Sequence, residues 1–338
     1  MTGFALYGCA ALLAAALTWL ARRYALARRL VDQPGERRSH QAATPRGGGV
    51  AIVVVMLVAL LWPGKHGLQA AVALPMALGL ALVAGIGWWD DHRPLSARLR
   101  LAAHVVAGML LAAGLHGTGL DVPTCVVLGV TAVVLVNVWN FMDGINGLAA
   151  SQAALVAATA AVLAGPGAQG WMPGWLLVAA CIGFIPFNFP RARIFLGDVG
   201  SGALGYLLAL LAGLVALGGA DGPGRGDAML LLLPASAFLV DASLTLARRI
   251  LRRERWWEPH VQHAYQASAR RHGHTVTTLA YGLWSAGGAW LAWMLGGNDR
   301  AVGFMMCAAV AAWQGMGACW WWYLQDFERR MTARGPRT

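Results

Sequence analysis

The chain has 338 residues, 58% of them hydrophobic and only 12% charged, with a mean hydropathy of +0.56 and a formal net charge of +11. Soluble domains carry about 25% charged residues, so too little polar surface is present to cover a water-soluble globule, and lipid must be the solvent for most of it. A single lysine, Lys65, stands among 26 basic residues, and the placement of the arginines, which follows membrane topology instead of forming one basic module, argues against nucleic acid as a partner.

A membrane-spanning helix needs roughly 20 mostly apolar residues. By that measure about eleven spans are predicted, over 3–21, 48–63, 68–89, 99–116, 122–140, 147–165, 172–188, 200–219, 228–247, 276–296 and 301–323. Short Gly/Pro/Asp segments such as 218–224 punctuate them as turns. The expected fold is therefore an all-α, polytopic integral membrane bundle, with one membrane domain over 1–323 and a short basic tail over 324–338. Residues 3–21 are followed, not preceded, by arginines, which is not the order of a cleavable signal peptide. Cys9, Cys125, Cys181, Cys307 and Cys319 lie in apolar runs without CxxC or metal spacing, and are expected to be small buried hydrophobes.

Alternation of the spans puts residues 22–47, 90–100, 141–146, 189–199, 248–275 and 324–338 on one side. That side holds 23 of the 26 basic residues, leaving only Lys65, Arg225 and Arg300 for the other. Arginine and lysine accumulate in cytoplasmic loops, so the first set is expected in the cytoplasm and the N terminus in the periplasm.

The residues able to do chemistry also fall on the arginine-rich side. Val-Asp-Gln-Pro-Gly-Glu-Arg-Arg-Ser-His (31–40) precedes Thr44-Pro45-Arg46 and three glycines. Backbone N–H groups in such a run can cradle phosphate beside arginine charge; an ordinary basic loop with a glycine turn fits equally. Asp90 and Asp91 end the third span, with Arg98 and Arg100 just beyond. Adjacent carboxylates at a membrane border are either a solvated helix end or a pair that supplies a base or helps hold Mg²⁺. Asn137, Asn140, Asp143 and Asn146 recur at three-residue steps, near one face if the helix continues. They read as a polar site or as polar packing between helices.

Asn188 opens Asn-Phe-Pro-Arg-Ala-Arg-Ile-Phe-Leu-Gly-Asp-Val-Gly-Ser, in which Asp198 starts a span. Asp198 is suited both to capping that helix and to a Mg²⁺–diphosphate site. A run of arginines from Arg248 to Arg255 leads to His260 and His263, placed to donate to a diphosphate; no third ligand at zinc-enzyme spacing accompanies them. Asp241 lies inside the ninth span, where an acid is functional or ion-paired, with Arg248 or Arg249 as the partner within reach.

Taken in order, Asp-Gln-Pro-x-x-Arg-x-x-His, Pro-Arg-Gly-Gly, Asp90-Asp91, Asn-Phe-Met-Asp-Gly, Ile-Phe-Leu-Gly-Asp-Val-Gly-Ser and His260-x-x-His263 run from residue 31 to 266. With that set the chain resembles the polyprenyl-phosphate N-acetylhexosamine-1-phosphate transferases of the glycosyltransferase family 4 type. Glu-Pro-His-x-x-His-Ala-Tyr-Gln is similar to the branch that initiates O-antigen and related glycans, and the adjacent histidines of the peptidoglycan enzymes are missing. Two departures stand out. Asn146 occupies the second acid of the usual Asp-Gly-x-Asp-Gly, and Pro94 lies where many members carry a third acid.

The resemblance implies a bundle of ten or eleven helices with a cleft open to the cytoplasm, in a bacterial inner membrane. It implies transfer of N-acetylhexosamine-1-phosphate from a UDP-N-acetylhexosamine to undecaprenyl phosphate, with release of UMP. Asp90, Asp91, Asp143 and Asp198 become the catalytic acids, and Asp198 the Mg²⁺ ligand, with Mn²⁺ as a substitute. Arg46, Arg100, Asn137, Asn140, Asn146, Asn188, His260 and His263 become substrate-binding residues. Membrane lipids are the surroundings, a homodimer is left open, and a covalent phospho-aspartate route competes with direct transfer. The alternative reading is a transporter, whose sites lie near the midplane.

Overall fold

A computed structural model describes residues 3–32, 43–62, 69–221, 227–255, 257–258, 260–296 and 302–333. Gln33 to Gln41, including Arg37, Arg38 and His40 of the first motif, therefore lie outside the described residues, as do Lys65, Arg225, Arg300 and residues 334–338. Eleven α-helices follow in order: α1 Gly3–Ala27, α2 Val50–Leu61, α3 Ala70–His92, α4 Ala97–His116, α5 Val122–Met142, α6 Leu148–Ala164, α7 Trp171–Asn188, α8 Asp198–Asp221, α9 Leu232–Leu251, α10 Ala264–Leu295 and α11 Val302–Ala333. The only described strands are the antiparallel pair β1 Val31–Asp32 and β2 Thr44–Pro45.

Each of these helices overlaps one of the predicted spans. Among the described residues seven segments are long and apolar enough to cross a membrane, namely α1, α3, α4, α5, α7, most of α8, and α9 with its preceding 3-10 turn. The molecule is a polytopic membrane helix bundle. Helices are what such a composition permits, because in lipid every backbone N–H and C=O must be satisfied within its own segment. Polar residues set the ends: Asp121 accepts from the Thr124 N–H at 2.9 Å to start α5, and Ser96 from the Leu99 N–H at 3.3 Å to start α4.

The central helix is α8, 94% of whose spanning window is buried; it packs against α3, α5 and α6. Small residues allow the close crossings expected between membrane helices. A Cβ on Gly129 of α5 would sit 2.8 Å from the Gly108 carbonyl of α4.

Two boundaries differ from the sequence expectation. Helix α10 begins at Ala264, twelve residues before the predicted apolar start, and is kinked at Gly273 (φ 81°, ψ 164°). Its first turns hold Gln266, Arg270, Arg271 and His272, so apolarity could not reveal where this helix starts. Helix α11 likewise continues to Ala333, into the stretch read as a tail. The cysteine expectation holds in part: all five are free, but Cys9, Cys307 and Cys319 lie on the outer surface, while Cys125 and Cys181 are buried.

The glycine run also has another explanation than a phosphate cradle. The Phe195 N–H donates to the Pro45 carbonyl at 2.8 Å, Gly48 N–H to Phe195 at 2.9 Å and Gly49 N–H to Leu196 at 2.8 Å. The amides of Gly48 and Gly49 are thus spent on protein. A Cβ on Gly49 would lie 2.7 Å from the Gly200 amide nitrogen, so glycine is there to bring α2 against the start of α8.

Candidate active site

The site is assembled where α3 ends and α8 begins. The first N–H groups of a helix have no partner within it, and here Asp91 supplies one from another helix. Its Oδ1 accepts from Asp198 N–H and its Oδ2 from Val199 N–H, both at 3.2 Å. Asp91 is only 3% exposed. Arg46 donates to the Asp91 carbonyl, and its Nε lies 3.8 Å from the carboxylate. Gly197 turns the chain into α8 with φ 76°, and a Cβ there would sit 2.6 Å from Asp91 Oδ2. Both demands select glycine.

With Asp91 capping α8, the Asp198 carboxylate is released from that task; its side chain is 35% exposed. Its Oδ1 accepts from Asn140 Nδ2 at 2.9 Å, and Asn140 also donates to Ser201 Oγ at 3.1 Å. Arg100 Nη1, at the start of α4, donates to Asp90 Oδ2 at 2.8 Å and lies 3.4 Å from Asp198 Oδ2. Asp90 Oδ1 accepts from Leu95 N–H at 2.5 Å, which fixes the α3–α4 turn. Four helix ends thus bring Asp90, Arg100, Asn140 and Asp198 into one group.

Asp143 follows the last residue of α5 and is half-buried. Its carboxylate finds no hydrogen-bond donor among the described residues, and burial, then the charges of Asp198 and Asp91, hold its pKa well above the usual carboxylate range. A carboxyl made costly to ionise by burial and like charge is one whose charge a divalent cation would relieve. Among the described residues no three His, Cys, Asp or Glu side chains converge as a metal cage. The donors therefore suit Mg²⁺, which takes one or two carboxylates and completes its shell with water and substrate phosphate oxygens.

The helix bearing the polar ladder ends at Met142, so its four members do not share a face. Asn137 Nδ2 donates to the Val133 carbonyl at 2.7 Å and lies 3.4 Å from Nδ1 of the buried His104 on α4. Only Asn140 reaches Asp198. Asn146 donates to the Pro190 carbonyl at 3.0 Å, and its own carbonyl accepts from Thr278 Oγ1 at 2.8 Å. Asn188 accepts from Gly147 N–H at 2.6 Å and donates to the Ile194 carbonyl at 2.9 Å. Both ends of that buried amide are engaged with backbone, so Asn188 holds two loops together in place of facing a ligand.

The histidine loop has a buried organiser, Asp241. Its carboxylate accepts from the N–H groups of Ala264 and Tyr265, each at 2.9 Å, from Tyr281 Oη at 3.1 Å and from Thr245 Oγ1 at 3.1 Å. His263 Nδ1 lies 3.4 Å from Asp241 Oδ1. The expected partners Arg248 and Arg249 go elsewhere: Arg249 pairs with Glu254 at 3.3 Å, and Arg248 donates to Gln325 of α11. Against His263 lie the rings of His260, at 4.8 Å, and Phe141, at 6.3 Å between centroids. Phe141 precedes Asp143 by two residues, which brings the loop beside the acid cluster. Burial, then His263 and Arg249, push the pKa of His260 down to about 4, leaving it neutral near pH 7.

Tyr265, Tyr281 and Gln325 escaped the sequence reading. Tyr265 Oη donates to the Phe141 carbonyl at 3.1 Å, and Gln325 Nε2 to the Gln262 carbonyl at 2.6 Å. Their one signal was polarity within or beside apolar helices.

Residues 73–216 match the model of glycosyl transferase family 4. The chain is 29% identical over 280 residues to a probable undecaprenyl-phosphate N-acetylglucosaminyl 1-phosphate transferase of Bacillus subtilis, covering 78% of this chain and 77% of that protein. It is 31% identical over 302 residues to the decaprenyl-phosphate N-acetylglucosaminephosphotransferase of Mycobacterium leprae, covering 77% and 75%. A phospho-N-acetylmuramoyl-pentapeptide-transferase of Thermosynechococcus vestitus is 30% identical over 231 residues, 60% of each chain.

Proposed function

Because the chain belongs to glycosyl transferase family 4, we propose that it transfers N-acetylhexosamine-1-phosphate from a UDP-sugar to undecaprenyl phosphate. The products are a lipid-linked sugar diphosphate and UMP, the first step of an O-antigen or another cell-envelope glycan. The observation that carries this reading is the group Asp90, Arg100, Asn140 and Asp198 at the end of an apolar bundle. A water-soluble donor and a membrane-bound acceptor can meet there. The arginine distribution favours the cytoplasm for that end.

An oxygen of the lipid phosphate attacks the phosphorus that bears the sugar, and the bond from that phosphorus to the UMP oxygen breaks. In such transfers positioning and charge stabilisation supply most of the catalysis. Asp90, held by Leu95 and Arg100, is the acid available to orient the acceptor or accept its proton, since both oxygens of Asp91 are engaged with α8. The acceptor's second pKa near 6 leaves little proton to remove. Asn140 and Arg100 hold Asp198 toward the cleft, with Asp143 beside it. Mg²⁺ bound there would neutralise the diphosphate and favour departure of UMP. His260 and His263 would donate to phosphate oxygens from the far wall. The transporter reading is the less favoured one, because the polar residues cluster at one end of the bundle and the Asp241 carboxylate is engaged by the α10 amides.

The test is transfer of radiolabel from a panel of UDP-N-acetylhexosamines to undecaprenyl phosphate by purified protein in detergent. Metal-dependent lipid label with UMP release is the expected result. No transfer from any donor, together with no UMP binding by folded protein, would overturn the proposal.

A further inference from the structure

Beside Asp91 the bundle leaves a cavity of about 280 Å³ among α1, α2 and α3. Its lining includes Arg46 and Asp91 but none of Asp90, Arg100, Asn140 or Asp198. The walls are apolar: Leu17, Leu20 and Ala21 of α1, Val50 and Val54 of α2, and Trp88 of α3. One end is polar. There Arg46 presents a buried Nε without a hydrogen-bond partner among the described residues, and Tyr24 Oη lies 3.4 Å from His92 Nε2, whose ring rests on Trp88 at 4.1 Å between centroids.

The surroundings are those of a membrane interface. Trp19, Tyr24, Trp88 and Trp89 are exposed, as an aromatic belt at headgroup level requires. Arg23 lies over the Trp19 ring at 4.7 Å and Arg28 over Tyr24 at 5.9 Å. With Arg22 and Arg29 they gather positive charge on the same end of α1. An apolar slot closed by an unsatisfied guanidinium N–H, beneath a cluster of arginines, is matched by a molecule with a hydrocarbon tail and an anionic head.

We propose that this cavity binds an anionic glycerophospholipid, with an acyl chain between Leu17, Ala21 and Val54 and its phosphate against Arg46. The acceptor lipid is the less suitable occupant. A phosphate held there meets Asp91, whose carboxylate is committed to the start of α8, and not Asp198. Arg46 bonds to the Asp91 carbonyl and Asp91 itself lines the cavity, so the phospholipid sits against the support of the active site. This inference does not depend on the sugar or the acceptor proposed above.

Native mass spectrometry of the full chain, released from detergent after titration with phosphatidylglycerol or phosphatidylcholine, tests it. The wild type is expected to retain one phosphatidylglycerol with roughly fivefold preference over phosphatidylcholine. Ala21→Trp, which fills the cavity, should abolish that retention, and Arg46→Gln should remove the preference. Should Ala21→Trp fail to fold, Val54→Phe blocks the same slot from α2. Equal retention of the two lipids, or retention unchanged by the filling variants, overturns the proposal. Displacement of phosphatidylglycerol by stoichiometric undecaprenyl phosphate also overturns it, and assigns the cavity to the acceptor.

Discussion

The carboxylate of Asp91 accepts the backbone N–H groups of Asp198 and Val199, each at 3.2 Å, across 107 and 108 residues of chain. One aspartate thereby fixes the position of another. The same device recurs at α10, where Asp241 of α9 receives the N–H groups of Ala264 and Tyr265 at 2.9 Å. Each buried acid serves the positive end of a neighbouring helix, and each of those helices delivers a site group, Asp198 or His263.

The two adjacent acids of α3 should therefore separate in experiment. Asp91→Ala leaves two helix amides without an acceptor and is expected to cost about 3 kcal/mol of stability. Asp90→Ala should lower transfer while barely changing stability. Thermal unfolding in detergent, set beside the transfer assay, distinguishes them; equal melting temperatures for the two variants would refute the division of labour.

Asp198→Asn keeps the bond to Asn140 through its amide oxygen but removes the charge. Transfer is expected to fall by about a thousandfold, the scale of several kcal/mol of transition-state charge stabilisation. The fold should be unaffected, because α8 is capped by Asp91. Chelation of divalent metal should give the same loss in the wild type and little further loss in the variant. Turnover within tenfold of wild type would remove Asp198 from the chemistry.

Asp241 and His263 should be energetically coupled. Single substitutions Asp241→Asn and His263→Gln, and the double variant, form a cycle whose coupling is expected at about 1–2 kcal/mol. Strict additivity in unfolding free energy would show that the 3.4 Å contact carries no weight.

His260 supplies a pH dependence with a defined sign. Its folded pKa of about 4 lies below the ordinary imidazole value of 6.5, so between those values the unfolded chain binds more protons. Stability should be full above pH 6.5 and should decline as the pH falls toward 4. His260→Gln is expected to flatten the melting temperature across pH 4.5–7 relative to wild type. A wild-type profile already flat over that window would contradict the assignment.

The spans were legible because apolarity is a property of consecutive residues, and α1, α3, α4, α5 and α7 declare themselves by it. The acids and histidines at span ends were legible for the same reason, as costly residues at a lipid border. Where a helix begins in polar sequence, as α10 does between Ala264 and His272, hydropathy carried no signal and the boundary was missed.

The sequence by itself determined that this is a many-helix membrane protein whose chemistry-bearing residues gather at one end, since length and hydropathy leave no other solvent for it. Only the tertiary structure decided which of those residues face the cleft. Asp90 and Asp91 are neighbours of one residue type, yet one points to Arg100 and the other to the α8 amides. Asn140 and Asn188 differ in the same way, one holding Asp198 and the other two loops. A side chain's role follows from which donors are brought to it, and those donors come from distant helices whose placement no local pattern encodes.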